Sequence, residues 1–207
     1  MSRSFLFIPD PRRADKIGFE SSKAFEARCH SNFWTQFVPG PAVLDIGYRG
    51  GRHNALPIFD AAIGVELDYP GYDGLHLPFG DASQDAVHSS HVLEHVPDDA
   101  ATLREWWRVL RVGGNLILFV PSAYLYERRL TVPPSRWSGE HLRCYTPATL
   151  LATVERTLAP NSYRVRHLAD CDLHYDYALS PDQHPVGCLE IELVLQKLDP
   201  PAWSVEP

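Results

Sequence analysis

The run Val43-Leu44-Asp45-Ile46-Gly47-Tyr48-Arg49-Gly50-Gly51-Arg52-His53 is the first place where residue types and spacing suggest chemistry. A strand that empties into clustered glycines lets the backbone turn tightly and approach a ligand. In an open α/β sheet that place is the crevice outside the strand's carboxyl end. The glycine spacing is not the dinucleotide fingerprint, and no Gly-Lys-Ser/Thr ending follows to make a P-loop. A second string, His91-Val92-Leu93-Glu94-His95, spells HxxEH, an arrangement that zinc hydrolases use. That chemistry needs a long helix presenting both histidines and a further ligand elsewhere. Here the motif begins at the end of an expected strand. The expectation is therefore no metal, with Glu94 and His95 stabilising a turn. A third segment, residues 124–147, holds Tyr124, Tyr126, Arg128, Arg129, Trp137, His141, Arg143 and Tyr145. Flat apolar faces beside cationic donors suit a sugar ring or a small anionic group.

The elements around these residues follow from periodicity. Phe25, Cys29, Phe33 and Phe37 recur at i+4 and predict an N-terminal helix over about 20–37, broken by Pro39-Gly40-Pro41. Short apolar runs at 43–47, 61–68, from 85, and 115–121 read as buried parallel strands. Leu103, Trp106, Trp107 and Leu110 predict a helix, with Asp98 as N-cap and Gly113-Gly114 as exit. Thr146 and Pro147 open another helix. Residues 162–169 read as a strand. So do 187–196, where Leu189, Ile191, Leu193 and Leu195 alternate with Glu190, Glu192 and Gln196 as an antiparallel edge strand would. The order favours an α/β layered fold. One domain is expected, with its core at about 40–196 and a loose tail at 198–207. Segment 124–147, long and without periodicity, reads as a functional excursion beyond a strand end.

Residues 40–121 together resemble the class I S-adenosylmethionine-dependent methyltransferases of the methyltransferase-type-11 group, with weaker similarity to about 150. Asp45, Gly47 and Gly51 lie over the first motif of that family, and Arg49 stands where its middle glycine is usual. The acid ending Ile63-Gly64-Val65-Glu66 lies where the family binds the ribose hydroxyls, and a carboxylate can accept from two vicinal hydroxyls at once. Asp73, followed by Leu77-Pro78-Phe79 and then Asp85, lies where an acid meets the adenine amino group; Gly74 and Leu75 would line the ring. His91 lies where the family faces the cofactor's sulfur end. The segment His141-Leu142-Arg143-Cys144-Tyr145 resembles an acceptor-side segment of small-molecule members, which makes His141 and Tyr145 general-base candidates. His141 is preferred, because imidazole titrates near neutrality. The resemblance implies a Rossmann-like, mostly parallel sheet with helices on both faces. Only six residues separate Glu66 from Asp73, so a shortened crossover after the second strand is expected.

The implied cofactor is S-adenosylmethionine and the implied reaction is methyl transfer to a small-molecule or saccharide acceptor. The alternative is a methyltransferase-like domain that binds without turnover. A formal net charge of -7 argues against a nucleic-acid partner. No apolar stretch approaches the ~18 residues of a membrane span, so no membrane partner is expected. The four cysteines form no CxxC pair, and free thiols suggest a cytoplasmic location.

Overall fold

A computed structural model describes residues 7–50 and 54–203. Its sheet has six strands: β1 (Val43–Ile46), β2 (Ala62–Val65), β3 (Gln84–Ser90), β4 (Leu110–Pro121), β5 (Tyr163–Cys171) and β6 (Glu190–Lys197). Their spatial order is β2-β1-β3-β4-β6-β5. The first four run parallel, and β6 is antiparallel to both β4 and β5. The crossover from β2 to β3 runs as turns with neither helix nor strand, as the short spacing predicts. β2 is therefore an edge.

Side chains alternate across this sheet, and each face has its own core. Leu116, Leu118 and Val120 of β4 join Leu103 and Trp106 of one helix and Leu150 and Val154 of another on one face. Ile117 and Phe119 meet Phe25, Phe33, Trp34 and Phe37 on the other.

Those N-terminal aromatics do not ride on one helix. The segment forms three short ones, α1 (Phe19–Ser22), α2 (Phe25–His30) and α3 (Phe33–Phe37), and the buried aromatics sit on the last two. Asn32, at φ 62°, breaks the last two apart. The i+4 spacing marked the buried face correctly, while the left-handed turn lets each short helix tilt its aromatics onto the sheet.

The helix α4 (Asp99–Val109) starts where expected, with Asp98 accepting from the Ala101 amide at 2.8 Å. It ends sooner: β4 begins at Leu110, and Gly113-Gly114 lie within that strand. The helix α5 (Pro147–Thr157) opens on a Thr146–Thr149 capping box with proline in its first turn.

β6 is not an edge strand. It lies between β4 and β5, and Glu190 and Glu192 are buried. Arg28 of α2 is the reason. Its Nε donates to Glu192 Oε1 at 2.8 Å, its Nη2 donates to Glu190 Oε1, and its guanidinium carbon lies 4.0 Å from the centre of the Phe119 ring. Burial works against the Arg28 charge, but the two carboxylates outweigh it and hold its pKa above the ordinary value.

Candidate active site

The carboxyl ends of β1 and β3 meet side by side, and the loops leaving them form one wall of the site. Gly47 leaves β1 at φ 76°, and a Cβ there would stand 2.2 Å from Val92 Cγ2. Glycine is thus required both by conformation and by contact. Arg49 adopts a glycine-like φ of 65° with no glycine, so the loop keeps its curvature. Its amide donates to Glu66 Oε1, which places the expected ribose-binding carboxylate directly against the loop. Gly51 lies outside the described residues. The Tyr48 ring packs between Gly50 and Gly64. A space of only about 10 Å³ remains beside Gly47, Tyr48, Arg49 and His91.

Asp45 is placed differently from a ligand-facing acid. It is buried, accepts from the Ile58 amide at 2.6 Å through Oδ2, and pairs through Oδ1 with His88 Nδ1 at 2.7 Å. It supports the loop from below. Asp73 is exposed and closes a turn of its own, accepting from the Leu75 and His76 amides and pairing with the His76 ring at 2.8 Å. Those bonds hold the Asp73 carboxyl below its usual range, with His76 the largest cause. Gly74 and Leu75 belong to this turn, and none of the three lines the cavities at the strand ends.

His91 is the first residue after β3, at φ 57°. Its amide donates to Phe119 O at 2.9 Å, and its buried Nε2 has no hydrogen-bond partner among the described residues. Burial lowers its pKa. The next residues form a turn, closed by the His95 amide on Val92 O at 2.9 Å. HVLEH is therefore a strand-end turn and not a helix.

The opposite wall is the excursion. It begins with a π-helical turn, Ala123–Glu127, whose buried Glu127 accepts from Ser135 Oγ and from the Arg136 amide at 3.1 Å. Trp137 Nε1 donates to Tyr126 O at 2.8 Å. Arg143 donates to the carbonyls of Leu93, Val96 and Pro97, clamping the HVLEH turn from across the site. Arg128 reaches Ser180 O at 2.5 Å and Tyr175 Oη at 3.2 Å. These two arginines thus build the wall and do not point to a ligand. Tyr145 is buried, and its hydroxyl donates to Asp99 at 3.1 Å, away from the cavity.

Between the walls lies a cavity of about 110 Å³, lined by Glu20, Arg49, His91, Glu94, His95, Tyr126, Ser138, Glu140, His141 and Leu189. His141 enters it, largely buried, and burial brings its pKa down to about 4, below the near-neutral titration for which it was preferred as a base. Glu94, which the sequence suggested only for the turn, is fully buried at the same place, and burial pushes its carboxyl up to about 8. The cavity thus joins a residue of the glycine loop, the β3 end and the excursion.

Residues 49–118 match the family described as methyltransferase domain. The chain is similar to a demethylmenaquinone methyltransferase of Roseiflexus castenholzii, 52% identical over 34% of this chain and 31% of that protein. It is also similar to a "probable S-adenosylmethionine-dependent methyltransferase" of Mycolicibacterium smegmatis, 32% identical over 58% of this chain and 54% of that one. The matches thus span about a third to about half of those two relatives. Among solved structures, a chain from the complex between the Haloferax volcanii Trm112 methyltransferase activator and a methyltransferase shares the fold. It has a TM-score of 0.60 and 17% identity over 92% of this chain and 95% of that one. The architecture is that of the Rossmann-like class I methyltransferase fold, and the family match falls on residues 49–118 of it.

Proposed function

We propose that the chain transfers a methyl group from S-adenosylmethionine to a small-molecule acceptor, with a saccharide hydroxyl as the class that fits best. The observation that carries this reading is the cavity shared by Arg49 and His91 on the cofactor side and by Tyr126, Ser138 and His141 on the excursion side. An acceptor seated there lies next to the loop that the family uses for its cofactor.

The residues at the strand ends fit the cofactor. Glu66 meets the glycine loop with one carboxylate oxygen engaged by Arg49 N, leaving the other for a ribose hydroxyl. His91, whose buried Nε2 has no hydrogen-bond partner among the described residues, is the side chain this reading sets at the sulfur end. When bound, S-adenosylmethionine supplies a methyl group on a positively charged sulfur that is already a good leaving group, so alignment and desolvation do most of the work. Tyr126 lines the cavity and excludes water from the acceptor. His141, neutral at physiological pH, accepts the acceptor hydroxyl's proton at Nε2 as the new carbon–oxygen bond forms. The acidic surface balance and the enclosed cavity favour small acceptors over nucleic acid.

The second reading is a domain that binds without turnover, favoured by the Tyr48 ring packed between the glycine loop and β2. Calorimetry with S-adenosylmethionine and S-adenosylhomocysteine, followed by an acceptor screen with the methylated product detected by mass, separates the two. Cofactor binding with turnover on a small acceptor supports the enzyme. Binding that survives such a screen without product supports the second reading.

A further inference from the structure

The carboxylate of Glu94 is fully buried in the wall of the cavity, and neither of its oxygens has a hydrogen-bond partner in another described residue. Leaving a buried carboxylate unpaired is costly unless something else occupies the space. What surrounds it is a set of nitrogen donors. His95 Nε2 lies 3.6 Å from Glu94 Oε1, and His141 Nε2 lies 3.9 Å from the same oxygen. The two imidazoles meet nearly edge to face, with centroids 4.7 Å apart. One donor atom from each of the three residues falls within 4.8 Å of the others. These separations are too long for hydrogen bonds. The two carboxylate–imidazole separations are only slightly wider than the roughly 3.4 Å between donors placed tetrahedrally around a zinc ion at about 2.1 Å.

We propose that Glu94, His95 and His141 form a binding site for a divalent first-row transition cation, with Zn²⁺ best suited to the two-imidazole, one-carboxylate donor set. The outer contacts are those such ligands need. His95 Nδ1 lies 3.1 Å from the Glu140 carbonyl, so its hydrogen points there and the Nε2 lone pair faces Glu94. The far nitrogen of His141, Nδ1, has no hydrogen-bond partner among the described residues and lies 3.6 Å from the buried Glu127 carboxylate, which Ser135 and the Arg136 amide hold in place. A shift of a few tenths of an ångström would bring that carboxylate into the hydrogen bond that orients a ligating imidazole. Three protein ligands beside a cavity of about 110 Å³ leave room for a fourth, exchangeable ligand.

This arrangement departs from the HxxEH pattern that the sequence suggested. His91 is not a member; its place is taken by His141, which the Leu142 amide and Arg143 bring against the turn by bonding the Glu94, Leu93, Val96 and Pro97 carbonyls. With a cation bound, His141 is a ligand and not a free base, and coordination in the fourth position would lower the pKa of an acceptor hydroxyl so that water can take its proton. The site itself does not depend on methyl transfer.

The full chain, purified without a polyhistidine tag and stripped with chelator, is titrated with ZnCl₂ against a chromophoric competitor, with no S-adenosyl compound present. One equivalent per chain is expected. Glu94→Gln, His95→Ala and His141→Ala should each weaken that equivalent at least tenfold, while His174→Ala, remote from the cluster, leaves it unchanged. Circular dichroism of each variant in chelator establishes that it is folded. His95 is the partly exposed member, so its variant keeps the test decisive if a buried one fails to fold. Absence of a stoichiometric site in the wild type, or a site that survives folded His95→Ala at full affinity, overturns the proposal. Zinc binding without S-adenosylhomocysteine binding would leave this site standing and remove the methyltransferase reading; the reverse result would do the opposite.

Discussion

Arg49 is a residue in a conformation that belongs to glycine. The left-handed region costs a side chain roughly 1–2 kcal/mol, and a glycine there gives back about 0.5–1 kcal/mol as unfolded-chain entropy. Arg49→Gly is therefore expected to raise stability by up to about 1 kcal/mol in a denaturant titration, and to leave S-adenosylhomocysteine affinity equal or higher. A loss of stability would mean that the guanidinium holds a structural contact. At this scale the sequence was partly legible. Glu66 and His91 directly follow β2 and β3, so their location at the strand ends was legible from the strands that carry them. The place of Asp45 under the loop followed from the resemblance, but its partners did not, since His88 comes beside it only through strand pairing and the Ile58 amide through the chain's return. Glu94 offered no sign of its isolation, which arises when His141 packs over it from 47 residues away in sequence.

Among the elements, α2 and β6 are joined by Arg28 with Glu190 and Glu192. Removing one member of a buried ionic cluster leaves uncompensated charge and typically costs about 3–5 kcal/mol. Arg28→Ala should lower stability by that amount, and neutralising both acids together with it (Glu190→Gln, Glu192→Gln) should recover part of the loss. Additive losses in the triple variant would contradict the ionic account. This cluster explains why alternation misled about β6: a leucine–glutamate period is read as half-solvated, whereas here the acidic face is covered by a cation 162 residues away from Glu190. The caps of α4 and α5 were legible because they are local in sequence. Arg143 ties the excursion to the turn after β3 through three carbonyls. Its charged hydrogen bonds contribute roughly 1.5–3 kcal/mol each at most. Arg143→Ala is expected to destabilise the chain by about 2–4 kcal/mol and to weaken cation binding at Glu94, whereas Arg128→Ala, whose bonds are to the exposed 175–180 segment, should do less.

For the whole molecule, the parallel sheet brings the ends of β1 and β3 into register, and the candidate site lies at that edge. The fold class and the shortened crossover were legible from strand spacing and motif order, because six residues cannot carry a helix and a strand between Glu66 and Asp73. The role of segment 124–147 as one wall was anticipated, but its pairing with Glu94 and His95 was not, because the cavity forms only where the excursion returns to the β3 end. No helix among the described residues is long and apolar enough to cross a membrane. The central claim is that this edge holds an S-adenosyl cofactor, with Glu66 on the ribose. Isothermal titration of S-adenosylhomocysteine into the wild type and Glu66→Ala tests it most directly. One bound ligand per chain is expected, with affinity lowered by about 1–3 kcal/mol in Glu66→Ala as the ribose hydroxyls lose their acceptor. No wild-type binding at ligand concentrations near about 1 mM and neutral pH, or an affinity untouched by Glu66→Ala, would contradict it.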